Sequence, residues 1–113
     1  MNKVEQIGRI TRDLDLRKTP DGKSVISFTI AVPRRNRQEA DFISCTAWEK
    51  TAETIYRYFK KGQRIGIVGH LHSSSYESNG HKVYRTDVVV EEFFFIERKE
   101  ADMQESFDPD LPF

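Results

Sequence analysis

The chain has 113 residues, 37% hydrophobic and 32% charged, with 18 Lys and Arg against 18 Asp and Glu for a formal net charge of zero. That length has room for one domain of roughly 100 residues, and no stretch approaches the about 20 apolar residues that a membrane span needs. The lone cysteine, Cys45, excludes an intrachain disulfide and fits a reducing compartment, and Met1-Asn2-Lys3-Val4-Glu5 lacks the apolar core of a secretory signal, so a cytoplasmic protein is expected.

In chain order, strand signals dominate. Residues 25–32 alternate Ile26, Phe28, Ile30 and Val32 against Ser27, Thr29 and Ala31, the period of a half-buried strand. Pro20-Asp21-Gly22 before it is turn chemistry, which makes the segment from Val4 to about Asp15 the expected hairpin partner. Pro33 ends the strand, and Arg34-Arg35-Asn36-Arg37-Gln38 follows as a basic loop. Residues 42–48 read as another strand. Ala52, Ile55, Tyr56 and Phe59 then recur at the spacing of one helical face, and Lys60-Lys61-Gly62 supplies cations and a left-handed cap to close that helix. Residues 65–76 form a long strand, Asn79-Gly80 centres a hairpin turn, and residues 82–96 return. Several strands, one helix, then a long hairpin is the order of an OB-fold, a five-stranded Greek-key barrel with its helix between the third and fourth strands. The expected domain spans residues 1–98.

The most informative strand is the one from Phe42 to Trp48. Alternation sends Ile43, Cys45 and Ala47 to the core and Phe42, Ser44, Thr46 and Trp48 to the other face. Two large rings separated by small hydroxyl residues form a platform on which bases can stack, at roughly 1–3 kcal/mol per base and without regard to sequence. Arg34, Arg35, Arg37 and Lys50 flank that strand and favour the platform over rings packed beneath a helix. On the long strand, Ile65, Ile67, Gly69 and Leu71 alternate with His70, His72, Ser74 and Tyr76, so the imidazoles and the tyrosine share an outer face. His70, His72 and His81 could instead hold a metal ion, but no cysteine joins them and no acidic ligand is close in sequence, so no metal or other cofactor is expected. Phe93-Phe94-Phe95-Ile96 reads as a strand buried on both sides or as a subunit interface. No phosphate loop, nucleophile elbow or paired-cysteine motif is present, and no catalytic residue is assigned.

All 18 cations and 13 of the acids precede residue 100, a balance of +5, whereas residues 100–113 carry five acids and no cation, a balance of −5. A mildly basic body with an acidic tail points to a nucleic-acid binder with a separate protein-recruiting end. The tail is expected to be disordered. Its tip, Asp108-Pro109-Asp110-Leu111-Pro112-Phe113, is held extended by its prolines and suits capture in an apolar pocket rimmed by cations. Besides a nucleic-acid binder, these residues leave open an OB-fold module for RNA or for a protein partner only, and a small metal-dependent hydrolase.

Taken together, Gly8-Arg9-Ile10-Thr11-Arg12-Asp13, Leu16-Arg17-Lys18-Thr19-Pro20-Asp21-Gly22, Phe28-Thr29-Ile30-Ala31-Val32, Glu39-Ala40-Asp41-Phe42-Ile43-Ser44-Cys45, Trp48-Glu49-Lys50-Thr51-Ala52-Glu53, Lys60-Lys61-Gly62 and Gly69-His70-Leu71 resemble the single-stranded DNA-binding proteins of bacteria and their phages. The likeness runs from Asn2 almost to Ile96 and resumes at the tip. It implies an OB-fold and a homotetramer. It also implies single-stranded DNA wrapped by stacking and phosphate contacts, and a tip that recruits replication, recombination and repair proteins. By motif position, Phe42, Trp48 and Tyr76 fall where the family stacks bases, and Lys50 and Lys61 where it binds phosphates. The chain departs from the pattern in the short basic loop after Pro33, in Ser73-Ser74-Ser75, in Lys18 where a tyrosine is frequent, and in the brief connection at residues 99–107.

Overall fold

The computed structural model describes residues 1–36 and 38–96. Seven elements follow in order: β1 (Val4–Ile10), β2 (Leu16–Lys18), β3 (Ser24–Pro33), β4 (Ala40–Trp48), α1 (Glu49–Tyr58), β5 (Arg64–Ser78) and β6 (His81–Phe95). The sheet order is β1-β5-β6-β4-β3-β2, and a further β1–β3 pairing closes five of the strands into a ring. The one parallel pairing, β4 with β6 through Cys45↔Val88 and Thr46↔Val89, follows from the helical crossover between β4 and β5. This is the OB-fold barrel.

The alternation of β3 is borne out. Ile26, Phe28 and Ile30 are buried beside Cys45 and Ala47 of β4, Ile65 and Ile67 of β5, and Val88 and Val90 of β6. The helix seals one end of the barrel with Ala52, Ile55 and the following Phe59. Phe59 stacks on Phe95 at 4.7 Å and meets Phe93 edge-on at 5.8 Å. The triple phenylalanine is therefore not buried on both sides: Phe93 and Phe95 meet Phe59 on one face, Phe94 lies on the other, and both Phe94 and Phe95 are exposed.

Four sequence expectations need correction. The hairpin partner of β3 across Pro20-Asp21-Gly22 is the three-residue β2, whereas β1 pairs with β3 only through Arg9↔Ala31 and Ile10↔Ile30 and with β5 over six residues. The helix ends at Phe59, whose backbone is extended, so Gly62 does not cap it. Gly62 instead takes φ +90° in the turn that Gln63 closes by donating to Lys60 O. Tyr56 lies on the exposed side of α1 rather than in its buried stripe. Leu71 shares the inward parity of Ile67 but stands exposed, because β5 there leaves the barrel and runs on into a two-stranded arm.

The base of that arm is fixed twice over. Asn2 donates through Nδ2 to Leu71 O and accepts from Leu71 N, both at 2.9 Å. Opposite Gly69 the register jumps from Val68↔Glu92 to Gly69↔Val90, which leaves Glu91 as the extra residue of a bulge in β6. A Cβ on Gly69 would lie 2.0 Å from Val89 O, so only glycine permits this approach. At the arm's tip Asn79 (φ 53°) and Gly80 (φ 79°) make the two-residue turn, the positive angles that Asn-Gly hairpins favour.

Candidate nucleic-acid interface

The outer face of β4 carries the two rings that the sequence marked as candidates for stacking. Phe42 is 69% exposed and Trp48 42%. Their cross-strand neighbours on β3 are Ala31 and Val25, while Thr29 and Ser27 face Ser44 and Thr46. On the β3 side the residues facing β4 are thus small or β-branched, while on the β6 side Arg85 reaches Ser44, between the two rings. The rings are six residues apart, about 20 Å along the strand. Trp48 ends the strand: Glu49 takes φ 54°, a left-handed value disfavoured by roughly 1–2 kcal/mol in an L-residue, and the chain turns there into α1 without a loop.

At the Phe42 end, the register runs Arg64–Arg9–Ala31–Phe42 across four adjacent strands. These residues, with Ile7, Arg34 and Glu39, line a concavity of about 820 Å³. Arg9 also donates through Nη1 to Gly62 O at 2.7 Å, which ties β1 to the turn carrying Lys61. Sequence reasoning did not single out Arg9 and Arg64, because only the closed barrel sets their strands in register with Ala31 and Phe42. Arg34 is placed differently from a free cation. It donates to Asp41 Oδ1 at 2.9 Å and to Glu39 Oε2 at 2.7 Å, and those two carboxylates raise its pKa further, Asp41 foremost. Its charge closes the β3–β4 loop. Arg35 is exposed on that loop, and Arg37 lies outside the described residues.

At the Trp48 end, a second concavity of about 380 Å³ brings together Trp48, Thr46, His72, Ser74, Arg85 and Asp87. Cross-strand pairing seats His72 opposite Asp87 and Ser74 opposite Arg85. Thr46 donates to Asp87 Oδ2 at 2.5 Å and Arg85 to Ser44 Oγ at 3.0 Å. Arg85 and Asp87 escaped sequence reasoning as well, since only the parallel β4–β6 pairing brings them to Ser44 and Thr46. Farther out on the arm Tyr76 is 55% exposed, on the same face as His72. Tyr84, also exposed, pairs with Ser75 and so faces the other way.

His70 departs from the group: its Nδ1 lies 3.2 Å from Glu91 Oε2 at the bulge. His81 pairs with Ser78 at the arm's tip, six rungs or about 20 Å from His72, too far for one metal ion. Among the described residues no three His, Cys, Asp or Glu side chains are grouped to hold a metal. Lys50 is exposed on the first turn of α1, next to Trp48, and Lys61 on the turn beside Arg9. Cys45, on the inner face, has its thiol pushed up to about 12, by burial first and by Asp87 second. The tip residues Asp108, Asp110, Leu111, Pro112 and Phe113 lie outside the described residues. No helix among the described residues is long and apolar enough to cross a membrane.

A closed OB barrel with exposed rings on one sheet face and cations at its margins defines a class of oligonucleotide-binding modules. Comparison with known proteins narrows the class. Residues 1–96 match the Single-strand binding protein family, and the chain belongs to that family. It is similar to Single-stranded DNA-binding protein 3 of Listeria innocua, with 43% identity over 88% of this chain and 66% of the relative. The Single-stranded DNA-binding protein of Clostridium perfringens is 49% identical over 86% of this chain and 67% of its own length. Single-stranded DNA-binding protein 1 of Streptococcus pyogenes is 40% identical over 100% and 99%. The match thus covers just under two thirds of the Listeria relative and nearly all of the streptococcal one.

Proposed function

We propose that this chain binds single-stranded DNA with little sequence preference, protects it, and performs no chemistry on it. The observation that carries the reading is the outer face of β4, where Phe42 and Trp48 stand exposed and the facing residues of β3 are Ala31, Thr29, Ser27 and Val25. Bases stack there and on Tyr76, while Lys50, Lys61 and the Arg35–Arg37 stretch neutralise phosphates. The similarity to proteins named for single-stranded DNA binding supports this. Titration with oligo-dT, followed through the single tryptophan, tests it. Quenching without turnover, and without added metal, is the expected result. Failure to bind oligo-dT at low salt, with structured RNA bound instead, would transfer the site to the rival module.

The working form is proposed to be a cytoplasmic homotetramer. On the outer side of β1, β5 and β6, Ile7, Gly66 and Phe94 form one cross-strand row, and with Ile96 they line an apolar concavity of about 460 Å³. A second copy of the chain would cover it, and Phe94→Asp should lower the mass found by light scattering. The division into a domain at 1–98 and a recruiting tail at 99–113 belongs to the same proposal. Deleting Phe113 should abolish capture of replication or repair proteins while oligo-dT affinity stays unchanged. Equal capture with and without Phe113 would remove the recruiting role.

A further inference from the structure

The concavity beside Trp48 contains something a purely electrostatic DNA platform should avoid: a carboxylate. Asp87 is half-buried in its floor. Its Oδ2 accepts from the Thr46 hydroxyl, and among the described residues Oδ1 has no hydrogen bond and the carboxylate no ion pair. Facing a polyanion, such a group costs affinity unless a donor meets it. The walls are suited to a base: the Trp48 ring on β4, and His72 directly across β5–β6 from Asp87. We infer that Asp87 forms a base-reading subsite within the platform, accepting a hydrogen bond from the exocyclic amino group of a base seated against Trp48. A carboxylate pairs with cytosine N4–H, as acidic side chains do in base readout. Uracil and thymine place a carbonyl oxygen at that position, and lone pairs would then face lone pairs. The platform would therefore tolerate any sequence along most of its path and discriminate at one position.

The inference rests on the single-stranded DNA reading, and its test separates the two. Oligo-dC and oligo-dU of equal length differ in the base only at its pairing edge, and the full chain is titrated with each while Trp48 fluorescence is followed. In Asp87→Asn the amide can still accept from Thr46, but it presents N–H to the base, which suits a carbonyl. The ratio of dC to dU affinity should fall by about five-fold or more in D87N, the factor one net hydrogen bond supplies. If D87N tightens both oligomers equally, Asp87 acts only as a charge and the inference is overturned. The unmutated chain provides an arm that needs no variant: it must bind dC more tightly than dU, and equal or weaker dC binding overturns the inference. If the unmutated chain binds neither oligomer, the DNA reading itself fails, and the subsite with it.

Discussion

Phe42→Ala separates stacking from folding better than any other change on this face. Phenylalanine carries on the order of 200 Å² of surface, and with 69% of Phe42 exposed only about 60 Å² of it packs against the protein. At about 25 cal/mol per Å² that packing stabilises the fold by at most about 1.5 kcal/mol, an upper bound because the unfolded chain also buries surface. A melting temperature lowered by about 10 °C or less follows for a domain of this size. The loss of one stacked base costs roughly 1–3 kcal/mol, a weakening of oligo-dT binding by about 5- to 150-fold. The dependence on salt should not change, because no cation has been removed. Trp48, the single tryptophan, remains as the fluorescent reporter, so parent and variant are compared by the same titration. A folded Phe42→Ala that binds within two-fold of the parent would show that no base rests there. A variant that fails to fold would show that the ring supports the barrel.

Replacing Lys50 or Lys61 by Ala should make the slope of log affinity against log salt shallower by about 0.7 for each phosphate no longer neutralised, and an unchanged slope in both would move the phosphate path elsewhere. Gly69→Ala drives a methyl into Val89 O, backbone that cannot swing away, so β5 and β6 must part at the bulge. A loss of about 3 kcal/mol is expected, and a melting temperature within about 2 °C of the parent would contradict it. The Cys45 thiol, raised from 9.0 to about 12 in the fold, stays protonated after the unfolded chain's thiol has ionised. Its contribution is complete below pH 9 and falls between pH 9 and 12, by up to about 1.4 kcal/mol per pH unit. Cys45→Ala lacks that component, so the stability difference between parent and variant in urea should shrink as pH rises through this window. A constant difference would show that the thiol titrates alike folded and unfolded.

What could be read from the sequence was whatever depends on a residue's immediate neighbours. The two faces of β4, the buried set of β3 and the Asn-Gly turn each follow from local alternation or local dihedral preference. What could not be read depends on which strand lies behind. Leu71 has the correct parity for the core, but the barrel has ended by that rung. β1 alternates like a hairpin strand, yet most of its partners lie on β5, some 60 residues away. A three-residue β2 is too short to show a period at all. Arg34 is the exception, since its partners were within reach: Glu39 and Asp41, five and seven residues on, are brought back to it by the β3–β4 turn.

With Arg34 paired to Asp41 and Glu39, the proposed phosphate contacts fall to other cations, and their positions matter. Phe42 and Trp48 sit on β4, a strand paired on both sides, so in the proposed reading the places where bases stack would be set by the sheet. Lys50 and Lys61 project from a helix turn and a connecting turn on long flexible stems, and Arg35 from a loop, so on the same reading the places where phosphates are met could adjust. A strand of any sequence keeps a constant phosphate spacing but varies in base size. Rigid ring positions with adaptable cations would accommodate that variation at little cost, as the proposed sequence tolerance requires. The two groups should also fail differently: losing a ring lowers affinity at every salt concentration, and losing a cation lowers it chiefly at low salt. Asp87, which accepts from Thr46 within the sheet, belongs with the rigid set, and in the proposed subsite that rigidity is what would let it distinguish one base from another.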